Sequence, residues 1–297
     1  MRHTAINLVV ALAGLATSCN CSMLRPANAD ECPPVLDRFE APMVNFRNWS
    51  MVQTDPDRYW IERRVVKHGL GALAVRITSG DSHHKDPTER EEIRIARQQR
   101  CAFGSDLWYS FSLRIEGQIV DWGSRRWVVG QWKQQGDGSP FLAERFDNRV
   151  FHITVQDNNC RVIVAKARGN PFRVLPEDRI GEPRKEPSLP LVSPPDCKTD
   201  LRVQRSVNAT LPSPYKNWVD MAYRVRGGRN GTGLIEIWAD GRFIARVSGS
   251  IGYDSGGQGQ YFKIGHYRDP QPGSAIVYID DFRREPYNQQ DLLKRPE

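Results

Sequence analysis

Gly259-Gln260-Tyr261-Phe262-Lys263-Ile264-Gly265-His266-Tyr267-Arg268 alternates like a β-strand but carries reactive groups on one side. In an extended chain every second residue shares a face. Tyr261, Lys263, Gly265 and Tyr267 fall on one side; Phe262, Ile264 and His266 fall on the other. The apolar side packs inward, so Lys263 and Tyr267 look outward together and His266 is expected in the core. Two earlier stretches sort the same way. In residues 90–95, Arg90, Glu92 and Arg94 oppose Ile93 and Ile95; in residues 128–133, Gln131 and Lys133 oppose Val128 and Trp132. One polar face is ordinary for an antiparallel sheet, and each strand alone reads as a solvated surface. Lying together in one sheet, the three would line a cationic groove bearing tyrosines.

The rest of the chain is punctuated like an all-β protein. Short runs rich in Val, Ile, Tyr, Phe and Trp recur between Gly, Pro, Asn and Asp clusters. Strands are expected at residues 72–78, 91–96, 107–115, 127–132, 151–155, 162–166, 218–225, 234–239, 242–247, 261–267 and 275–282. Asp240-Gly241 is a hairpin turn signal. Short helices are expected within residues 52–62 and at 288–294. Residues 171–195 are dense in proline and charge and form a surface excursion, or a wall beside a groove. Many short strands without interleaved helices predict one sandwich or jelly roll of two antiparallel sheets, residues 30–297 forming a single domain.

Residues 1–29 read as a secretory signal: Arg2, an apolar run from Ile6 to Ala16, then Ala27-Asn28-Ala29 as a cleavage site. That predicts a secreted or periplasmic protein, with no span long enough for a membrane. Removal of the segment takes Cys19 and Cys21 with it. The remaining four cysteines are an even set in an exported chain and predict two disulfides. Of three possible pairings, Cys32–Cys101 with Cys160–Cys197 is preferred, because the second staples the proline-rich excursion. The net charge is +7; the signal holds Arg2 and Arg25 and no acid, which leaves about +5. Outside the cell a basic excess fits an acidic polysaccharide better than nucleic acid.

The three groove strands resemble a known group. Arg90-Glu91-Glu92-Ile93-Arg94 is similar to the R-x-E-[LV]-R strand of the jelly-roll alginate lyases, and residues 261–267 to their Y-F-K-A-G-x-Y. Gln131 stands where their Q-[IV]-H motif begins, with Lys133 in place of its histidine. Residues 139–143 and 277–282 look more like the heparin lyase I and glucuronan lyase relatives on the same fold. The resemblance covers residues 35–285. It implies a polysaccharide lyase that cleaves a uronic-acid chain by β-elimination. Arg90 and Gln131 would engage the uronate carboxylate, Lys263 would bind substrate and Tyr267 would transfer protons. A phenol ionises only around pH 10 in water, so a tyrosine base needs the neighbouring cations that favour its charged form. Lys133 is the competing base or a polymer-holding cation. Arg94 is a further substrate contact, and so is His84, in the loop before the arginine strand.

Other chemistries lack their signatures. No carboxylate run of the E-x-D-x-x-E kind, no G-x-S-x-G, no H-E-x-x-H and no EF-hand loop occurs. No cofactor is expected; a structural calcium has no locatable site. The protein is expected to act as a monomer. The rival expectation is a non-catalytic carbohydrate-binding protein whose Trp122, Trp127 and Trp238 stack on sugars.

Overall fold

The computed structural model describes residues 32–82, 88–118, 126–147, 149–169 and 197–288. The signal segment, the proline-rich excursion at 171–195, His84, Trp122 and most of the expected C-terminal helix lie outside the described residues. In chain order the strands are β1 (Val35–Asp37), β2 (Trp49–Gln53), β3 (Tyr59–Glu62), β4 (Ala72–Thr78), β5 (Glu89–Ile95) and β6 (Cys101–Ala102). There follow β7 (Leu107–Gly117), β8 (Trp127–Gln134), β9 (Leu142–Asp147), β10 (Val150–Asp157), β11 (Cys160–Lys166) and β12 (Arg202–Arg205). The last are β13 (Val219–Arg226), β14 (Gly228–Ala239), β15 (Arg242–Ile251), β16 (Gly259–Arg268) and β17 (Ser274–Pro286).

They form two antiparallel sheets packed as a β-jelly roll. One has the order β12-β15-β14-β13-β7-β17-β4-β3, with β1 beside β17; the other runs β11-β10-β9-β8-β16-β5-β2, with β6 beside β16. Their inner faces meet in an aromatic core in which Trp132 lies 4.6 Å from Tyr223 and 4.7 Å from Phe262 between ring centroids. Trp132 and Phe262 belong to one sheet and Tyr223 to the other, so these rings lock the layers together. The β14–β15 hairpin turns as expected, with Asp240 and Gly241 both at positive φ (48° and 72°).

Every expected strand is present, with ends shifted by a few residues. The expected helix in residues 52–62 is absent. Trp49–Gln53 and Tyr59–Glu62 are strands of different sheets, because Asp55-Pro56-Asp57-Arg58 makes a tight turn closed by Arg58 N–H to Asp55 O at 3.0 Å. Cys32 and Cys101 form a disulfide with their Cα atoms 5.2 Å apart. The second expected bridge is not formed. Buried Cys160 donates its thiol to Lys198 O at 3.2 Å, and Cys197 keeps its thiol.

Candidate active site

The eight-stranded sheet turns one face to the core and the other to a groove of about 630 Å³. Three neighbouring strands set its floor. Across β16 and β5, Tyr267 sits opposite Arg90 and Lys263 opposite Arg94; across β16 and β8, Lys263 sits opposite Gln131. Arg90, Arg94, Gln131, Lys133, Lys263 and Tyr267 all line the groove. The parity argument therefore brings together six of the seven candidates; His84 lies outside the described residues.

The phenol of Tyr267 is held between two guanidinium groups. The Arg90 guanidinium carbon lies 4.0 Å from the ring centroid, and that of Arg126 lies 4.9 Å away. Arg126 Nη1 also donates to the phenol oxygen at 2.6 Å, while its Nη2 pairs with Asp269 at 2.7 Å. Arg90 thus covers the ring while Arg126 reaches both the ring and the phenol oxygen. Burial raises the phenol of Tyr261, further along the strand, above its ordinary value.

Beneath the groove floor Glu92, 3 % exposed, gathers three candidates. Gln131 Nε2 donates to its Oε1, Lys263 Nζ pairs with Oε2 at 3.0 Å, and Arg90 Nε stands 3.7 Å from Oε2. Arg94 takes no part in this cluster. Glu92 orients the Gln131 amide and leaves its second N–H for a ligand. The Lys133 ammonium is drawn below its ordinary range by burial first and by the Lys263 charge second.

Several groove residues escape the sequence reading. Arg126 and Val128 share the groove face, whereas Val129 joins the core; Val128 was expected on the core side. The cause is a β-bulge: the register slips between Val128 and Gly130 against β9, and between Ile264 and Tyr267 against β16. Gly130 was the available signal, a glycine inside a strand. A side chain there would meet Glu144 Oε2 at 2.2 Å. Arg145 lies on β9, a strand not expected at all, and Arg161 on β11. With them the lining holds seven Lys or Arg and one acid, Asp137, a marked surplus of positive charge.

A second cavity of about 690 Å³ opens at Phe103, Arg226, Arg229 and Asp254. Its Arg229 is already held by Asp157 at 2.6 Å and Asp254 at 2.7 Å, so it does not offer the groove's cationic surplus.

The histidines of the described strands are structural. His266 accepts from Trp127 Nε1 at 3.1 Å and donates to Val75 O at 3.0 Å; burial pulls it down to about 3. His152, buried beside Asp147 at 3.4 Å, is likewise pulled to about 3, by burial first. Of the tryptophans of the rival reading, Trp127 and Trp238 do not line the groove. Trp127 is core, and Trp238 packs on Trp108 and Phe243 on the outer side of the other sheet. Among the described residues no group of three or more His, Cys, Asp or Glu is placed to hold a metal. No helix among them is long and apolar enough to cross a membrane.

A search of curated proteins returned no match. Among solved structures, the alginate lyase A1-II′ of polysaccharide lyase family 7 superposes with a TM-score of 0.50 at 13 % identity, covering 82 % of this chain and 96 % of that one. An endo-β-1,4-glucuronan lyase from the fungus Trichoderma reesei gives 0.49 at 16 % identity, covering 77 % and 87 %. A cellulose-induced protein gives 0.49 at 14 % identity, covering 85 % and 97 %. The alginate lyase likeness speaks to the fold. The family model described as polysaccharide lyase matches residues 42–283, which takes in the strands bearing Arg90, Gln131, Lys263 and Tyr267. By that match, the chain belongs to the polysaccharide lyase family.

Proposed function

We propose that this groove cleaves a uronic-acid-containing polysaccharide by β-elimination, outside the cytoplasm, with Tyr267 handling the proton. In the reaction the C5–H proton leaves to a base, the C4–O bond breaks, and a C4=C5 double bond forms. The carbon acid is weak, so charge spreading onto the uronate carboxylate must meet donors already in place. Arg90 supplies a planar fork matched to a carboxylate, and Gln131 supplies an amide N–H. Lys263 and Arg94 hold the polymer. Tyr267, as phenolate, takes the C5 proton and returns it to the departing C4 oxygen.

The observation that carries this reading is the Tyr267 phenol, flanked by Arg90 at 4.0 Å and bonded by Arg126 at 2.6 Å. An export route is supported by the Cys32–Cys101 disulfide, a bond typical of oxidising compartments. The test is Tyr267→Phe, checked for folding by circular dichroism and assayed by ultraviolet absorbance of the new double bond. A panel of alginate, glucuronan, heparin and heparan sulfate covers the candidate uronates. Turnover is expected to fall by about 10³-fold or more; retained turnover removes Tyr267 from the mechanism. Lys133→Met, in parallel, is expected to weaken polymer affinity more than turnover. A turnover loss matching Tyr267→Phe would make Lys133 the base.

A further inference from the structure

We propose that Arg145 and Arg161 form a second oxyanion subsite, which takes the carboxylate or sulfate of the sugar next to the one at Tyr267. This rests on the lyase reading of the same groove. The register sets one row across the sheet: Arg145 opposite Val128, Val128 opposite Tyr267, Tyr267 opposite Arg90. Neighbouring strands are about 4.8 Å apart, so the Arg145 backbone stands roughly 10 Å from that of Tyr267. A sugar chain laid across the strands therefore meets Arg90 and Tyr267 first and Arg145 beyond them.

Arg145 is built for a ligand. It is only 5 % exposed, and what remains exposed lines the groove. Its Nε donates to Thr154 Oγ1 at 3.0 Å, which fixes the plane of the guanidinium. Among the described residues that is its hydrogen bond, and no carboxylate reaches it in an ion pair. Asp147 is the nearest anionic influence, yet burial lifts its carboxyl to about 7, so it is a weak counter-ion at neutral pH. Burial draws Arg145 itself down to about 9, and the charge of Arg161 adds to that. Arg161 lines the same stretch of groove and is lowered by burial too. Arg161 Nε is held by Gln156 Oε1 at 3.2 Å, whereas Arg145 is a buried cation with no carboxylate in contact among the described residues, an unfavourable arrangement that an incoming oxyanion relieves. The fork geometry suits either a carboxylate or a sulfate.

The consequence is a preference for chains with charge on consecutive sugars. The test compares Arg145→Lys and Arg161→Gln with the wild type on three polymers. One is a contiguous polyuronate, the second is hyaluronan (uronate alternating with a neutral sugar), and the third is heparin, with sulfates between its uronates. Each variant is expected to lose about tenfold or more in kcat/KM, mostly through KM, on the polymer that fills the subsite. The loss on hyaluronan is expected to be several times smaller. Greatest loss on the polyuronate identifies a carboxylate, and greatest loss on heparin a sulfate. Equal losses on all three polymers overturn the subsite. Calorimetric binding of a uronate trimer to Tyr267→Phe, with and without Arg145→Lys, needs no turnover and separates the two readings. If no polymer is cleaved the lyase assignment fails, while a tenfold drop in trimer affinity still supports the subsite. Unchanged trimer affinity overturns it even in an active enzyme.

Discussion

The two outward faces of the sandwich use the same residue types to opposite ends. On the nine-stranded sheet Arg114, Arg224 and Arg246 are each matched by a carboxylate. Arg224 pairs with Asp106 at 2.7 Å and Glu236 at 3.4 Å, Arg246 Nε donates to Glu236 at 2.7 Å, and Arg114 Nε donates to Glu116 at 2.9 Å. In the groove of the eight-stranded sheet, seven cations line the wall with Asp137, and Glu92 below serves three groups at once. Arginine content therefore says little about function. The surplus of cation over carboxylate on one face is what the proposed polyanion site rests on.

The sharpest way to break that contrast is to remove the buried carboxylate beneath the groove floor. Glu92→Gln leaves Lys263, with a 6 % exposed side chain, without its buried counter-ion. Breaking such a pair from one side is expected to cost about 3 kcal/mol or more of stability, seen as a lower urea midpoint. Loosened Gln131 and Arg90 should lower kcat/KM by a further ten- to hundredfold. A stable, active variant would mean that the surplus alone, without Glu92, organises the groove.

A third carboxylate tests the other side of the same sheet. Glu144 points into the core, where Tyr223 OH donates to it at 2.5 Å and no cation is paired with it. Burial raises its carboxyl from the ordinary 4.5 to about 8. The folded state then binds a proton that the unfolded state releases between pH 4.5 and 8. Its contribution to stability is full below pH 4.5 and is lost as pH rises towards 8. Glu144→Gln keeps an acceptor for Tyr223 and removes the titration. Relative to this variant the wild type is expected to lose roughly 4 kcal/mol of stability over that window, read as the difference between the two urea curves. Parallel curves would mean that Glu144 is charged in the fold.

Glu92 and Glu144 also explain what was legible in the sequence. Alternation exposed the groove faces of β5 and β16 because their opposite parity is filled by Ile93, Ile95, Phe262 and Ile264. It missed β9 because Glu144 occupies a core position, so Leu142–Asp147 does not read as apolar against polar. Arg145 was lost with it. Arg126 was hidden by the bulge, which shifts parity by one residue. Glu92 was placed on the right face, yet its partner is Lys263, 171 positions away. Local spacing carries no information about that distance; only the pairing of β5 with β16 supplies it.

The smallest expected effect lies on the matched face. Arg246 is half exposed, and Glu236 keeps Arg224 at 3.4 Å when Arg246 is gone. Arg246→Gln removes one cation from a partly solvated network, a change expected to cost under about 1 kcal/mol. Kcat/KM on any uronate polymer should stay at the wild-type value, and its salt dependence should not change. The same single charge removed at the groove acts on the polyanion directly. If Arg246→Gln weakened polymer binding as much as a groove substitution, pairing would not be what separates the two faces, and total positive charge would be.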